Sequence, residues 1–75
     1  MANLSDLTPR ELEILRLVIA GKTNQQIARE VFISKKTVEF HLDNIYSKTG
    51  KRTRLLVGIW AVQHGLQGET RINPS

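Results

Sequence analysis

The chain has 75 residues, enough for one small domain, and a formal net charge of +4 with a sequence isoelectric point near 10.0. It has no cysteine and only two histidines, which excludes disulfides and thiolate metal sites and makes a zinc site unexpected. The sequence has neither an apolar run of roughly 20 residues, as a membrane span needs, nor the layout of a signal peptide. We therefore expect a cytoplasmic protein without cofactor, metal or membrane partner. The basic balance favours nucleic acid as partner, although positive charge also serves solubility.

The first predicted helix starts after Thr8 and stops at Gly21. Thr8 is a favourable N-cap, Pro9 suits the first helical position, and Glu11 lies three residues after the cap, as in a capping box. We expect Glu11 to serve as cap and ion-pair partner, with Arg54 as a candidate partner, rather than as an acid catalyst. The apolar face is broad enough for a helix packed on more than one side; it consists of Leu12, Ile14, Leu15, Leu17, Val18 and Ile19.

The second and third helices are predicted to be close together in sequence. Thr23 or Asn24 caps the short second helix, the segment VFIS breaks it, and Ser34 caps the third helix, which Gly50 ends. A linker of only three or four residues makes the two helices cross steeply, as in a helix-turn-helix. Many such turns have glycine where this chain has Phe32. Apolar residues recur at i, i+4 and i+7 in the third helix, at Val38, Leu42 and Ile45.

A fourth helix is predicted from about Thr53 to His64, and it is apolar nearly all round. One face, around Val57 and Ala61, must cover the bundle. The remaining apolar residues would be exposed in a monomer, and a contiguous exposed apolar patch usually marks an interface. The alternative is that the fourth helix is buried more deeply within the monomer. We predict a two-fold homodimer whose interface residues are Leu55, Leu56, Ile59, Trp60 and Gln63.

No segment shows strand-like alternation, so the predicted fold class is all-α. We expect a four-helix bundle that contains a helix-turn-helix and ends in a dimerisation helix. The predicted boundaries are a flexible N-terminus over 1–6, the helical domain over 7–66 and a disordered polar tail over 67–75.

The stretch LTPRELEILRLVIAGKTNQQIAREVFISKKTVEFHLDNIYSKTG resembles the DNA-binding domain of the LuxR family. The resemblance extends over about residues 4–66 and implies a bacterial transcription regulator that binds double-stranded DNA. In such a domain the third helix lies in the major groove and the fourth forms the dimer; RNA polymerase is a further candidate partner. The chain has no room for a second domain of the receiver or ligand-binding type, so no small-molecule ligand is expected within it. Both a stand-alone member and an excised fragment remain open. The matching elements are Leu7-Thr8-x-Arg10-Glu11, Gly21, Asn24, Ile27-Ala28, Ile33-Ser34, Thr37-Val38, His41, Lys48, Gly50, Arg54, Ala61 and HGL at 64–66.

Cationic and hydroxyl side chains at the helix starts are the predicted phosphate contacts. Lys35 and Lys36 begin the third helix, where the macrodipole disfavours a cation but a docked anion would be favourable. A plain solvated charged face is the alternative. Thr23 and Asn24 resemble phosphate contacts of the family. The full predicted set is Thr23, Asn24, Ser34, Lys35, Lys36, Thr37, Lys48 and Arg52.

The face of the third helix opposite its buried stripe is predicted to read bases. Glu39 and Asp43 can accept hydrogen bonds from cytosine, Phe40 can contact a thymine methyl group, and Asn44 can pair with adenine. In the alternative interpretation the two acids are neutralised by the preceding lysines, and Asn44 only holds local backbone. The predicted base contacts are Glu39, Phe40, Asp43 and Asn44.

The sequence leaves two other functions as alternatives and argues against a third. Region four of a sigma factor shares the start of the sequence and the helix-turn-helix, but should lack the apolar fourth helix. A protein-interaction module would use that helix to bind a larger regulator or RNA polymerase. An enzyme is not expected, because no triad, paired carboxylates or phosphate loop is present; His41 is better explained as a structural histidine.

Overall fold

A computed structural model describes residues 2–68. A 3-10 turn, Leu4–Asp6, precedes four helices: α1 (Pro9–Ile19), α2 (Asn24–Val31), α3 (Lys35–Thr49) and α4 (Arg54–Gln63). The described range contains no strand. The predicted all-α fold with four helices is therefore confirmed.

Each helix begins at a hydroxyl side chain that accepts one of its free N–H groups. Thr8 Oγ1 accepts the Glu11 N–H at 3.1 Å, and Glu11 Oε1 accepts the Thr8 N–H at 2.9 Å, which completes the predicted capping box. A second capping box joins Thr23 and Gln26 at the start of α2, with hydrogen bonds of 3.1 and 2.8 Å. Such caps are worth about 1 kcal/mol each, so local sequence defines where the helices start.

The core forms around α1, which lies against α2, α3 and α4, while α2 packs on α3. The buried stripe predicted for α3 is confirmed, since Val38, Leu42 and Ile45 are at most 3% exposed. Burying a side chain of this size is worth roughly 1.5–3 kcal/mol. The stripe therefore fixes which face of α3 turns outward. The largest fully buried side chains are Ile14, Leu15, Ile27, Val38, Ile45 and Val57.

The turn between α2 and α3 has an unusual residue at its centre. Phe32 adopts the left-handed conformation, with φ 60° and ψ 44°. The N–H groups of Phe32 and Ile33 both donate to the carbonyl oxygen of Ala28, which closes the end of α2. A non-glycine residue in this region costs about 1 kcal/mol.

The structure bears on the predicted flexible N-terminus but hardly on the predicted disordered tail. Residues Leu4–Asp6 lie within the predicted flexible N-terminus, yet they form a turn in which Asn3 and Asp6 make a reciprocal capping box. The prediction of a disordered tail over 67–75 falls largely on residues outside the described range, which ends at Gly68.

The end of α3 is held by Thr49. Its hydroxyl donates to the carbonyl oxygen of Ile45 at 2.9 Å and accepts the N–H of Lys51 at 3.2 Å. Gly50, at φ 74°, then ends the helix as predicted.

Candidate nucleic-acid interface

The start of α3 has exposed cations and free backbone donors. Ser34 Oγ accepts the Thr37 N–H at 3.0 Å, and the two hydroxyl oxygens lie 2.8 Å apart. Lys35 and Lys36 are the first two helical residues, so their backbone N–H groups have no partner inside the helix. Both side chains are exposed and form no ion pair within residues 2–68. This end of α3 is therefore suited to an anion.

The outward face of α3 is exposed along most of its length. Lys36, Phe40, Asp43 and Ser47 follow one another on this face and are all exposed. Phe40 keeps 61% of its surface accessible, and its ring lies edge to face with that of the half-buried His41, at 5.7 Å between centroids. An aromatic side chain on a helix that is well packed elsewhere is consequently available to a ligand.

The predicted base contacts differ in accessibility. Glu39, Phe40 and Asp43 are exposed, whereas Asn44 is half-buried. Glu39 and Asp43 form no ion pair with the lysines at the start of α3 or with any other described residue. The structure therefore does not contain the ion pairs with Lys35 or Lys36 that the alternative interpretation expects for these two acids.

The start of α2 is tied to α4 by an arginine. Arg54 donates to Asn24 Oδ1 at 2.6 Å and to the carbonyl oxygen of Lys22 at 2.5 Å. The Lys22 ammonium is itself 2.9 Å from the Glu30 carboxylate. The amide oxygen of Asn24, a predicted phosphate contact, is thus occupied, whereas its NH₂ group donates no hydrogen bond within the described residues. Thr23 is exposed beside it.

Lys48, another predicted phosphate contact, lies in an interhelical ion pair. Its ammonium is 2.7 Å from Glu11 Oε1, and Glu11 is only 3% exposed. Burial raises the pKa of the Glu11 carboxyl, but the Lys48 ammonium and the Thr8 N–H outweigh it, so the net pKa lies below its usual value. The prediction that Arg54 is a candidate ion-pair partner of Glu11 was wrong, because Arg54 donates to the start of α2 instead. Lys48 therefore clamps α3 to α1.

Arg52 follows α3 and remains exposed, with no ion pair inside the described part of the chain. It borders an open cleft of about 430 Å³ together with Tyr46, Ser47, Gly50 and Lys51. Cations that have no ion pair within residues 2–68 thus lie at both ends of α3, with Glu39 and Asp43 between them.

Comparison with known proteins identifies the family. The model for "Bacterial regulatory proteins, luxR family" matches residues 5–57. The chain belongs to the luxR family. The luxR domain is 47% identical over 60 residues to the transcriptional regulatory protein LiaR of Bacillus subtilis, covering 80% of this chain and 28% of LiaR. It is 47% identical over 60 residues to the response regulator protein VraR of Staphylococcus aureus, covering 80% and 29%. A third relative, YhcZ of B. subtilis, is 40% identical over 63 residues, covering 84% and 29%.

Membership confirms the resemblance seen in the sequence, and with it a helix-turn-helix domain of the kind used in DNA-binding transcriptional regulation. The chain spans less than a third of the length of these relatives. The family match runs through Val57 and so includes every residue predicted to contact DNA, from Thr23 to Arg52, but only the start of α4.

The outer face of α4 is an exposed apolar surface. Leu55, Leu56, Ile59 and Val62 are 72%, 48%, 45% and 55% exposed; we call these four residues the α4 surface. Beside it, an open groove of about 610 Å³ separates α4 from the end of α1. Gly58 lines this groove, and a methyl group added at Gly58 would have no neighbouring atom within 4 Å, so the groove is open at this point.

One predicted interface residue, Trp60, is not on the α4 surface, and one residue that was not predicted, Val62, is. Trp60 is only 6% exposed and packs in the core, its ring 4.5 Å from that of His64, so it does not lie on the α4 surface. Val62 does, although the prediction omitted it. Its position seven residues after Leu55 and three after Ile59 was the signal that would have placed it on their face. Gln63 is exposed next to it.

Within residues 2–68, no group of three or more His, Cys, Asp or Glu side chains is placed to hold a metal ion. None of the described helices is long and apolar enough to cross a membrane.

Proposed function

We propose that this luxR-family chain binds double-stranded DNA sequence-specifically, as the DNA-binding part of a bacterial transcription regulator, with α3 in the major groove. The observation that supports this most directly is the outward face of α3. It is exposed, its acids are unpaired, and the two lysines at its start are free of ion pairs within the described residues. A helix kept this accessible in a small domain is suited to a groove.

The residues have two roles in this proposal. Ser34, Lys35, Lys36 and Thr37 bind a phosphate at the start of α3, because free N–H groups, hydroxyls and positive charge converge there. Thr23 and Asn24 bind a second phosphate at the start of α2, and Arg52 a third after α3. The phosphate contacts give affinity and register, but they do not distinguish sequences.

Sequence recognition falls to Glu39, Phe40 and Asp43, with Asn44 at the edge. Carboxylates can accept from the exocyclic amine of cytosine, and a phenyl ring can contact the thymine methyl group. Each good base contact should contribute about 1–3 kcal/mol of discrimination. The half-buried Asn44 would need to turn outward to take part.

Selection of bound duplexes from a random pool tests the proposal. The parent should enrich one motif, Phe40→Ala or Asp43→Ala should change that motif, and Lys36→Ala should leave it unchanged while flattening the salt dependence by about one unit. Arg16→Ala is the matched control, since Arg16 is an exposed cation on α1 without an ion pair in the described range. Failure of the parent to enrich any motif would refute sequence-specific binding.

We further propose that two copies pair through the α4 surface. A two-fold dimer would present two α3 helices to successive major grooves, which lie about 34–36 Å apart. The domain measures 36 × 30 × 20 Å, which is compatible with that spacing. Four exposed apolar side chains on one helix supply the contact.

Sedimentation equilibrium tests the dimer. Leu55→Asp should shift the chain to monomer, because it puts a charge in the middle of the proposed apolar contact, on a side chain that is 72% exposed in the single chain. Gln25→Asp, an exposed α2 position with the same change in charge, should not. A parent that stays monomeric at high concentration would contradict dimerisation by this chain.

A second candidate function is an interaction module that binds a larger regulator or RNA polymerase through the same α4 surface. The surface's exposure supports both this module and the homodimer. Sedimentation and partner binding distinguish the homodimer from the interaction module. The module predicts that the parent chain is monomeric and that Leu55→Asp abolishes its binding to the larger regulator or RNA polymerase. The family match favours the luxR type over the sigma-factor alternative, whose fourth helix should not be apolar.

A further inference from the structure

Phe32, in the turn between α2 and α3, is unusual in two ways. It is 92% exposed, more than any other large apolar residue of the described chain, and it is the one non-glycine residue there with a positive φ. An aromatic ring in the left-handed region is a conformational outlier, and it leaves the whole hydrophobic surface in water. Because so little of the ring is buried, it adds almost nothing to the core of the domain.

Backbone hydrogen bonds explain why residue 32 adopts the left-handed conformation, but they do not explain why this residue is phenylalanine. The left-handed position allows the N–H groups of Phe32 and Ile33 to reach the carbonyl oxygen of Ala28 and close α2. Glycine or asparagine satisfies the same geometry with less strain. Because stability would favour either of them, the aromatic ring at this position needs a role outside the domain.

The surroundings of Phe32 are positively charged. Arg29 in the last turn of α2 and Lys35 and Lys36 at the start of α3 are exposed cations. The nearest acid in sequence, Glu30, lies 2.9 Å from the Lys22 ammonium. An exposed ring among cations suits a partner that offers both negative charge and apolar C–H groups.

Distance along the chain places Phe32 beside the predicted phosphate site. Consecutive Cα atoms are 3.8 Å apart, so the Cα atoms of Phe32 and Ser34 are separated by at most about 7.6 Å. When a recognition helix enters the major groove by its N-terminal end, the preceding turn lies at the groove's rim, next to the sugar-phosphate strand.

We propose that Phe32 is a DNA contact whose ring packs on the deoxyribose next to the phosphate held by Ser34 and Lys35. This inference rests on the proposed function. The Phe32 ring would add an apolar contact to the sugar-phosphate backbone of the DNA. This contact would support affinity without reading sequence and without releasing counterions. The strained turn thereby trades stability of the free domain for binding.

Variants at one position separate the two effects. Phe32→Asn relieves the left-handed strain, so its melting temperature should rise by about 4–8 °C. On the duplex selected by the parent it should bind about ten-fold more weakly at every salt concentration, since an apolar contact is lost but no phosphate contact. Phe32→Leu keeps an apolar side chain and should stay within about three-fold of the parent.

The outcomes are distinguishable. Equal affinity of Phe32→Asn and parent, with Lys36→Ala showing its flattened salt dependence, overturns the inference and leaves DNA binding intact; it would instead point to a protein partner for the ring. A changed salt slope or a changed motif in Phe32→Asn also overturns it. Absence of DNA binding by the parent overturns both proposals.

Discussion

Replacing Lys48 by methionine should destabilise the domain in a pH-dependent way. Glu11 is 3% exposed and holds two charge-assisted hydrogen bonds, one from the Lys48 ammonium at 2.7 Å and one from the Thr8 N–H at 2.9 Å. Methionine retains the apolar stem of lysine but leaves the buried carboxylate with one partner. The effect therefore isolates the charge.

The magnitude follows from the burial of the two partners. A hydrogen bond to a charged group is worth about 1.5–3 kcal/mol, and the full loss of a buried partner about 3–5 kcal/mol. The Lys48 side chain is 37% exposed, so solvent already screens part of the pair. We expect Lys48→Met to cost about 2 kcal/mol near pH 7, or about 8–16 °C in melting temperature for a domain of this size.

The pH dependence has opposite signs in the two proteins. In the parent, the folded-state pKa of Glu11 lies below its usual value of 4.5, so its contribution is present above pH 4.5 and is lost as pH falls through the folded pKa. Without Lys48, burial dominates and raises the pKa of Glu11, and protonation then stabilises the folded variant. The difference in melting temperature should therefore narrow as pH falls below about 4.5.

Thermal unfolding followed by circular dichroism at pH values from 7 down to 3 measures both effects. Lys36→Met is the matched control, because Lys36 is exposed and unpaired within the described residues, and removing a cation from a helix start costs nothing. A destabilisation of Lys48→Met that is the same at every pH would refute the reasoning, since it would mean that the loss does not involve Glu11.

Three further predictions concern the same contacts. Arg54→Met should lower the free energy of unfolding by about 1–3 kcal/mol, because a charged donor to Asn24 is lost; an unchanged urea midpoint would contradict this. Thr8→Ala should cost about 1 kcal/mol in urea unfolding through loss of the cap. Lys48→Met should flatten the salt dependence of DNA binding by much less than the one unit expected of a phosphate contact, because its ammonium is engaged by Glu11. An equal change would mean that a phosphate displaces the carboxylate.

Helix boundaries were predictable from the sequence because local chemistry decides them. Thr8, Ser34 and Gly50 act on backbone groups within four residues, and each does in the structure what its residue type predicts. The same holds for the buried stripe of α3, whose spacing depends only on the helical period. The N-terminal turn was missed, although Asn3 and Asp6 form the same reciprocal cap three residues apart.

Partners across the bundle were not predictable in the same way. Glu11 and Lys48 are 37 residues apart, and Arg54 and Asn24 are 30 apart; which long side chain reaches which acceptor depends on crossing angles that a single sequence does not specify. Trp60 illustrates the same limit. On a helix that is apolar nearly all round, periodicity cannot tell which side faces the core, and the tryptophan was assigned to the wrong face.

The distribution of unpaired charge on α3 bears on the sequence recognition that we propose for this helix. Once Lys48 is engaged by Glu11, the cations adjoining α3 that have no ion pair within residues 2–68 are Lys35 and Lys36 at its start and Lys51 and Arg52 beyond its end. Between them, Glu39 and Asp43 face outward without partners in the described residues, so each phosphate or acceptor-rich base edge near them is repelled. Only a donor such as the cytosine amine removes that repulsion. In the proposed complex, with α3 in the major groove, the middle of α3 would therefore gain specificity by penalising wrong sequences as much as by rewarding the right one.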